Sequence, residues 1–209
     1  MIKANFYLRN VLVVAIILAG FMSSVYAQNN QTKDAGVVIN GVKWATRNVD
    51  AAGTFAATPE SAGMFYQWNR KKAWNSTNEE VTGWDNSDSN GTTWATANDP
   101  SPAGWRVPTI AELGTLLDET KVTSAWTTQN GVRGRKFTDK TTGASIFLPA
   151  AGHRGSGGGT LYSRGSHGYY WSSTVYDASS AHFMRFNSTE QYTDNASKSC
   201  GFSVRCVAK

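Results

Sequence analysis

The chain has 209 residues, with 20 Lys and Arg against 15 Asp and Glu and a formal net charge of +5. The basic residues are scattered, with Arg70-Lys71-Lys72 standing as a run, so no stripe for nucleic acid is present. Low charge, abundant glycine and eight tryptophans indicate one loop-rich, strand-rich exported domain with a sizeable core.

Residues 1–27 read as a secretory signal peptide. Lys3 and Arg9 supply the basic start, residues 11–20 (VLVVAIILAG) the apolar run, and Val25-Tyr26-Ala27 the cleavage positions. The run is short for a membrane span, which needs about 20 residues, so no span is expected after cleavage. An uncleaved amino-terminal anchor is the alternative. No cysteine lies near the cleavage positions, which argues against a lipid anchor. Cleavage removes two basic residues and leaves 18 basic against 15 acidic, a mild +3.

Residues 28–36 are polar and aperiodic, a linker, and the domain is expected to occupy residues 37–209. Asn40-Gly41 between Val37-Val38-Ile39 and Val42-Lys43-Trp44 predicts a two-residue hairpin. Residues 63–68 (GMFYQW) are a strand candidate. Residues 69–99 are polar but carry Trp74, Trp84 and Trp94, which predicts a long loop pinned by indoles rather than strands. The same tryptophans, if exposed, could stack on sugar rings.

Thr109 and Glu112 form a capping box, and Ile110, Leu113, Leu116 and Leu117 make one apolar stripe, predicting a helix. Residues 135–137 and 145–148 read as a hairpin turning at Thr141-Thr142-Gly143. Residues 152–159 (GHRGSGGG) are expected to be a flexible loop.

The stretch 169–207 opens on YYWSST and closes on GFSVRCV around a polar middle. Two-residue alternation along 181–187 places His182, Met184 and Phe186 on one face and Phe183, Arg185 and Asn187 on the other. With Met184 and Phe186 assigned to the core, Phe183 and Arg185 are expected to point outward. In the closing strand Phe202, Val204 and Cys206 share a face opposite Ser203 and Arg205. Cys200 and Cys206 on one strand would lie about 20 Å apart, beyond the reach of a disulfide.

Signatures of catalysis are missing: no Gly-x-Ser-x-Gly, no His-Glu-x-x-His and no Cys-x-x-Cys. His153, His167 and His182 lack ligand spacing, and Asp85, Asp88 and Asp99 match no calcium loop, so neither a metal nor a cofactor is expected.

Six ordered motifs, GVKWATRNV, GMFYQWNRKKAW, GWRVPT, IFLPAAG, YYWSST and GFSVRCV, resemble the Fibrobacter succinogenes major paralogous domain family from about residue 37 to 207. The resemblance implies an exported protein of a Bacteroidetes-type, Gram-negative bacterium, secreted, periplasmic or on the outer surface. It further implies an α+β, C-type lectin-like (formylglycine-generating-enzyme-like) fold with short antiparallel strands and one or two helices. Family members carry Cys between the two prolines of the DPxPAGWRVPT motif, expected to pair with the closing VRCV cysteine. Here that position is Ser101, so no disulfide is expected. Neither the catalytic cysteines of formylglycine-generating enzymes nor the calcium–sugar motifs of animal lectins have a counterpart.

The family tends to be Asn-rich where this chain has Ser179, Ser180, Phe183, Arg185, Asn187, Tyr192, Asp194, Asn195, Ala196, Ser197 and Cys200. Retroelement-diversified relatives show that kind of scatter over a fixed scaffold; ordinary drift is the alternative. The expected activity is a displayed binding surface without catalysis, for a protein or glycan ligand. Its contacts are Ser179, Ser180, Phe183, Arg185, Asn187, Tyr192, Asp194 and Asn195, with His153, Arg154, Tyr162 and His167 on adjoining loops. A sugar module built on the loop tryptophans and a hydrolase or oxidase-like enzyme are the competing readings.

Overall fold

A computed structural model describes residues 31–209; the signal-peptide reading and the first three residues of the linker, 28–30, lie outside them. Turn chemistry sets the local hairpins. Asn40 and Gly41, at φ 46° and 78°, join β1 (Val37–Ile39) to β2 (Val42–Trp44), with Ile39 opposite Val42 as expected. Asn130-Gly131, at φ 47° and 81°, does the same between β6 (Val122–Gln129) and β7 (Val132–Asp139), a hairpin that sequence reasoning missed despite the identical signal. The expected partner of β7 is present as β8 (Ser145–Pro149). The capping box is formed: Thr109 Oγ1 accepts from Glu112 N at 3.2 Å, and Thr109 N donates to Glu112 Oε2 at 2.8 Å. It opens α1 (Ile110–Leu116), which buries Leu113 and Leu116.

The remaining strands are β3 (Phe65–Gln67), β4 (Ala73–Trp74), β5 (Trp105–Arg106), β9 (His153–Arg154), β10 (Leu161–Tyr162), β11 (Gly168–Val175), β12 (Ser180–Phe186), β13 (Gln191–Ser197), β14 (Gly201–Phe202) and β15 (Val207–Ala208). They form four antiparallel sheets, ordered β1-β2-β15-β5, β10-β9-β14-β3-β4, β11-β12-β13 and β6-β7-β8. The expected α+β, C-type lectin-like fold is therefore corrected to a mostly β architecture. A seven-residue helix is the one α-helix lying wholly among the described residues, and two stretches that were not read as strands, 122–129 and 191–197, are strands. Trp74 likewise sits on a strand, paired through Phe65.

The closing segment is the keystone. Rather than one strand it serves two sheets, with β14 between β9 and β3 and β15 between β2 and β5. Between them Ser203, Val204, Arg205 and Cys206 are fully buried. The Arg205 guanidinium donates to Asn48 Oδ1 (2.9 Å), Ala45 O (3.2 Å) and Phe147 O (3.1 Å), so these donors replace water with protein acceptors.

The β11-β12-β13 sheet divides two apolar cores. Trp171, Ala181 and Phe183 pack with Tyr66, Trp68 and Phe202 on one side. Tyr170, Met184 and Phe186 pack with Leu113, Phe137 and Leu148 on the other. Gly168 shows how tight the second side is. A Cβ there would meet the Phe186 ring at 2.2 Å. Gly168→Ala is expected to cost roughly 1–3 kcal/mol through overpacking, read as a lower denaturation midpoint. An unchanged midpoint would show that the Phe186 ring has room to move.

Candidate functional site

One end of the first face escapes burial. The register sets Tyr169 opposite Arg185 and Arg185 opposite Tyr192, so three strands bring these side chains into one row. Their neighbours one step inward, Trp171, Phe183 and Asp194, form the next row. On the adjoining sheet His153 pairs with Tyr162, and the His153 ring links the two tyrosines, 4.3 Å from Tyr169 and 5.6 Å from Tyr162, centroid to centroid. His167, which follows a turn at residues 163–166, adds a ring 6.2 Å from Tyr169. Phe202, 5.2 Å from Tyr169, lies beneath.

The Arg185 guanidinium stands over two tyrosine rings, 5.7 Å from Tyr169 and 5.5 Å from Tyr192. Its Nη1 donates to the Tyr192 hydroxyl, while Nε is buried without a partner. The salt bridges among the described residues join Arg47 to Asp34, Arg70 to Asp85 and Arg106 to Glu112, leaving Arg185 with no carboxylate. His153 Nδ1 is also buried and unpartnered. Burial, then the charges of His167 and Arg185, pushes the His153 pKa down to about 4. His167 is lowered by burial and by Arg185, with Glu190 opposing. Both shifts favour the neutral imidazole, so Arg185 is the cation of the row, with the Asp194 carboxylate exposed on the same face. Tyr162 is 51% exposed; Tyr169, Tyr192 and both histidines are half-buried.

Of the twelve residues expected to bind, the structure gathers His153, Tyr162, His167, Arg185 and Tyr192, with Asp194 exposed on the same face. Phe183 is corrected from contact residue to core: it is 4% exposed, with its ring 4.8 Å from Phe202. It was placed outside because one face of its strand was taken as solvated, whereas both are covered. Arg154 is corrected as well. It is fully buried, donating to the carbonyls of Asn75 (2.8 Å), Asn78 (2.9 Å) and Gly159, so it pins the 75–79 loop and turns residues 152–159 from a loose loop into a tied one.

The others lie elsewhere. Asn187 Oδ1 accepts from Thr189 N and Glu190 N and so closes the β12–β13 turn. Ser179 and Ser180 donate their backbone N–H groups to Asp177 Oδ1 in the turn at the opposite end of β12. Asn195 pairs with His182, one step out of phase with the Arg185 row, and so faces the other side of the sheet. Tyr169 is the residue sequence reasoning missed. Alternation in Tyr169-Tyr170-Trp171 was the available signal, since it sets Tyr169 on the face opposite the core tyrosine.

The loop tryptophans do not offer sugar platforms. Trp74 and Trp94 are 5% and 8% exposed, and Trp84 packs on Trp74 at 4.7 Å while donating to Ser156 O. Asp85 accepts from Arg70 and Ser87, Asp99 from Ser101 N and Val107 N, and Asp88 from Ser197. Each carboxylate is thus engaged in a loop of its own. A separate groove of about 730 Å³ is lined by Glu60, Arg133 and Arg164 over a floor of Ala56, Ala62 and Ala150. It contains no aromatic side chain and shares only the 163–166 turn with the ring cluster.

The cysteines are free thiols, and Cys206 Sγ donates to Ser101 Oγ at 3.1 Å. Position 101 therefore faces the closing cysteine, as the motif resemblance implied.

A family model described as the Fibrobacter succinogenes major domain matches residues 37–208, and its span coincides with the sheets from β1 through β15. No curated protein and no solved structure matches. The match covers far more than half of the sequence, and the chain belongs to the Fibrobacter succinogenes major domain family.

Proposed function

We propose that the chain is an exported ligand-binding module, secreted, periplasmic or displayed on the outer surface, whose ligand docks on the Tyr169–Arg185–Tyr192 row and the His153, Tyr162 and His167 rings beside it. One observation carries the reading: a guanidinium without a carboxylate partner lies between two tyrosine rings, among half-exposed aromatic groups. Tyr and Arg dominate binding hot spots because they give large contact area and directed donors with little entropy to lose. Export is supported by the basic start, apolar run and small residues at positions 1–27.

Variation in the segment 179–200, by retroelement or by drift, would act on Arg185, Tyr192 and Asp194 without cost to the core. Phe183 has no such freedom. A reverse transcriptase gene beside a near-copy of the 3′ end, differing at adenines, would support diversification, and its absence would count against it.

The binding test uses the mature chain on printed panels of glycans and peptides. The Arg185→Ala, Tyr192→Ala double variant is expected to lose the hits of the parent while its Tm stays within a few degrees, because both side chains are partly exposed. Hits that survive the double variant, or that vanish instead with Trp84→Ala, would overturn this site.

A further inference from the structure

We propose that the ligand of this face is an acidic sugar, its carboxylate held by Arg185 and its ring carbons laid against Tyr169, Tyr192 and Tyr162; this rests on the binding-module reading above. The charge pattern selects the class. Arg185 is the one cation of the row, its one side-chain bond is from Nη1 to the Tyr192 hydroxyl, it has no carboxylate partner, and the terminal nitrogens of a planar guanidinium match a carboxylate two-pronged.

Charge also argues against polyanions. Asp194 shares the face of Arg185, one row inward, and Glu190 acts on His167. Both repel a second negative charge, and neither histidine adds a positive one. A nucleic acid or a heavily sulfated chain therefore meets two carboxylates against one guanidinium. A single carboxylate on an otherwise neutral body fits.

The rest of the patch suits such a body. A pyranose presents C–H faces that pack on aromatic rings and hydroxyls that take part in directed hydrogen bonds. Tyr162 and the half-buried Tyr169 and Tyr192 supply the rings. The hydroxyl of Tyr192 and the neutral imidazoles of His153 and His167 supply groups able both to donate and to accept. These rings lie on the face of the β11-β12-β13 sheet, whereas an added peptide strand would need the β13 edge.

The test measures binding of the mature chain to matched pairs: sialylated oligosaccharides with their desialylated parents, and glucuronate-terminated ones with their glucose counterparts. At least one acidic member is expected to bind about tenfold or more tightly than its neutral partner. Arg185→Lys should erase that preference with the Tm unchanged, because an ammonium loses the two-pronged geometry. Asp194→Asn should strengthen acidic binding roughly two- to fivefold, more at low salt, by removing a repelling charge. Equal binding of acidic and neutral partners, a preference that survives Arg185→Lys, or no glycan binding at all would overturn the acidic-sugar assignment. Peptide-array hits abolished by the Arg185→Ala, Tyr192→Ala double variant would overturn it while leaving the binding module standing; hits indifferent to that variant would overturn both.

Discussion

Ser101→Cys is expected to join Cys206 in a disulfide and to raise the melting temperature by roughly 5–15 °C, from a net gain of about 2–4 kcal/mol. The two side chains already touch, with Cys206 Sγ 3.1 Å from Ser101 Oγ, and they lie 105 positions apart in sequence. Closing so long a loop removes unfolded-state entropy worth about 4–5 kcal/mol in the chain-entropy model, less the strain of drawing the sulfurs together by about 1 Å. Burial pushes the Cys206 thiol pKa up, so little thiolate is available once the core has closed. The bridge should therefore form during oxidative refolding rather than on oxidising the folded protein. Peptide mapping without reduction, with melting curves before and after reduction, checks both statements. Free thiols after oxidative refolding, or a lower Tm with the bridge formed, would show that position 101 does not face Cys206 as described.

Phe183→Ala is expected to destabilise the domain by about 3–5 kcal/mol, the range for a buried aromatic replaced by alanine. Its ring is held 4.8 Å from Phe202, 5.8 Å from Tyr169 and 6.1 Å from Trp171, so truncation opens a cavity beside the Tyr169–Arg185–Tyr192 row. Arg185→Ala, two residues along the same strand face, should cost about 1 kcal/mol or less, because the guanidinium makes one hydrogen bond and no ion pair. Urea unfolding of the two single variants measures the contrast. Equal midpoints would mean that Phe183 faces solvent, as alternation alone suggests, and that the two-core description of the sheet is wrong.

Much of the local architecture was legible in residues 31–209. Asn-Gly at 40–41 predicts a hairpin because both residues tolerate left-handed backbone, and the same pair at 130–131 carries the same meaning. Thr109 and Glu112 announce the helix because the side chain of each accepts from the backbone N–H of the other. Six ordered motifs pointed to the family that the match at 37–208 shows. The site was half legible. Arg185, Tyr192, His153, Tyr162 and His167 converge, and Tyr169, which completes their row, was overlooked within the stretch that frames them.

What misled sequence reasoning was coverage. Alternation reports which side chains share a face; it does not report whether that face meets water. Phe183 and Arg185 have the same phase on β12, yet one is core and the other partly exposed, because Phe202 packs over the sheet at residue 183 and the face is left partly open at 185. Arg154, expected as a ligand contact, and Arg205, set opposite the core face of its strand, are both fully buried, since carbonyls from distant loops take the place of water around them. The lectin-like α+β expectation came from the motif resemblance; of the strands that overturn it, 122–129 carried its signal in the Asn130-Gly131 turn, whereas polar 191–197 becomes a strand through pairing with β12.

The sequence by itself determined the turns, the helix cap, the strand phases and the family, because each depends on side chains acting on nearby backbone or on ordered motifs. Only the tertiary structure decided that residues 201–208 serve two sheets, that β12 is buried on both faces, and that one uncovered end leaves Arg185 between two tyrosines. Burial belongs to a pair of surfaces, and the second surface comes from residues far away in the chain.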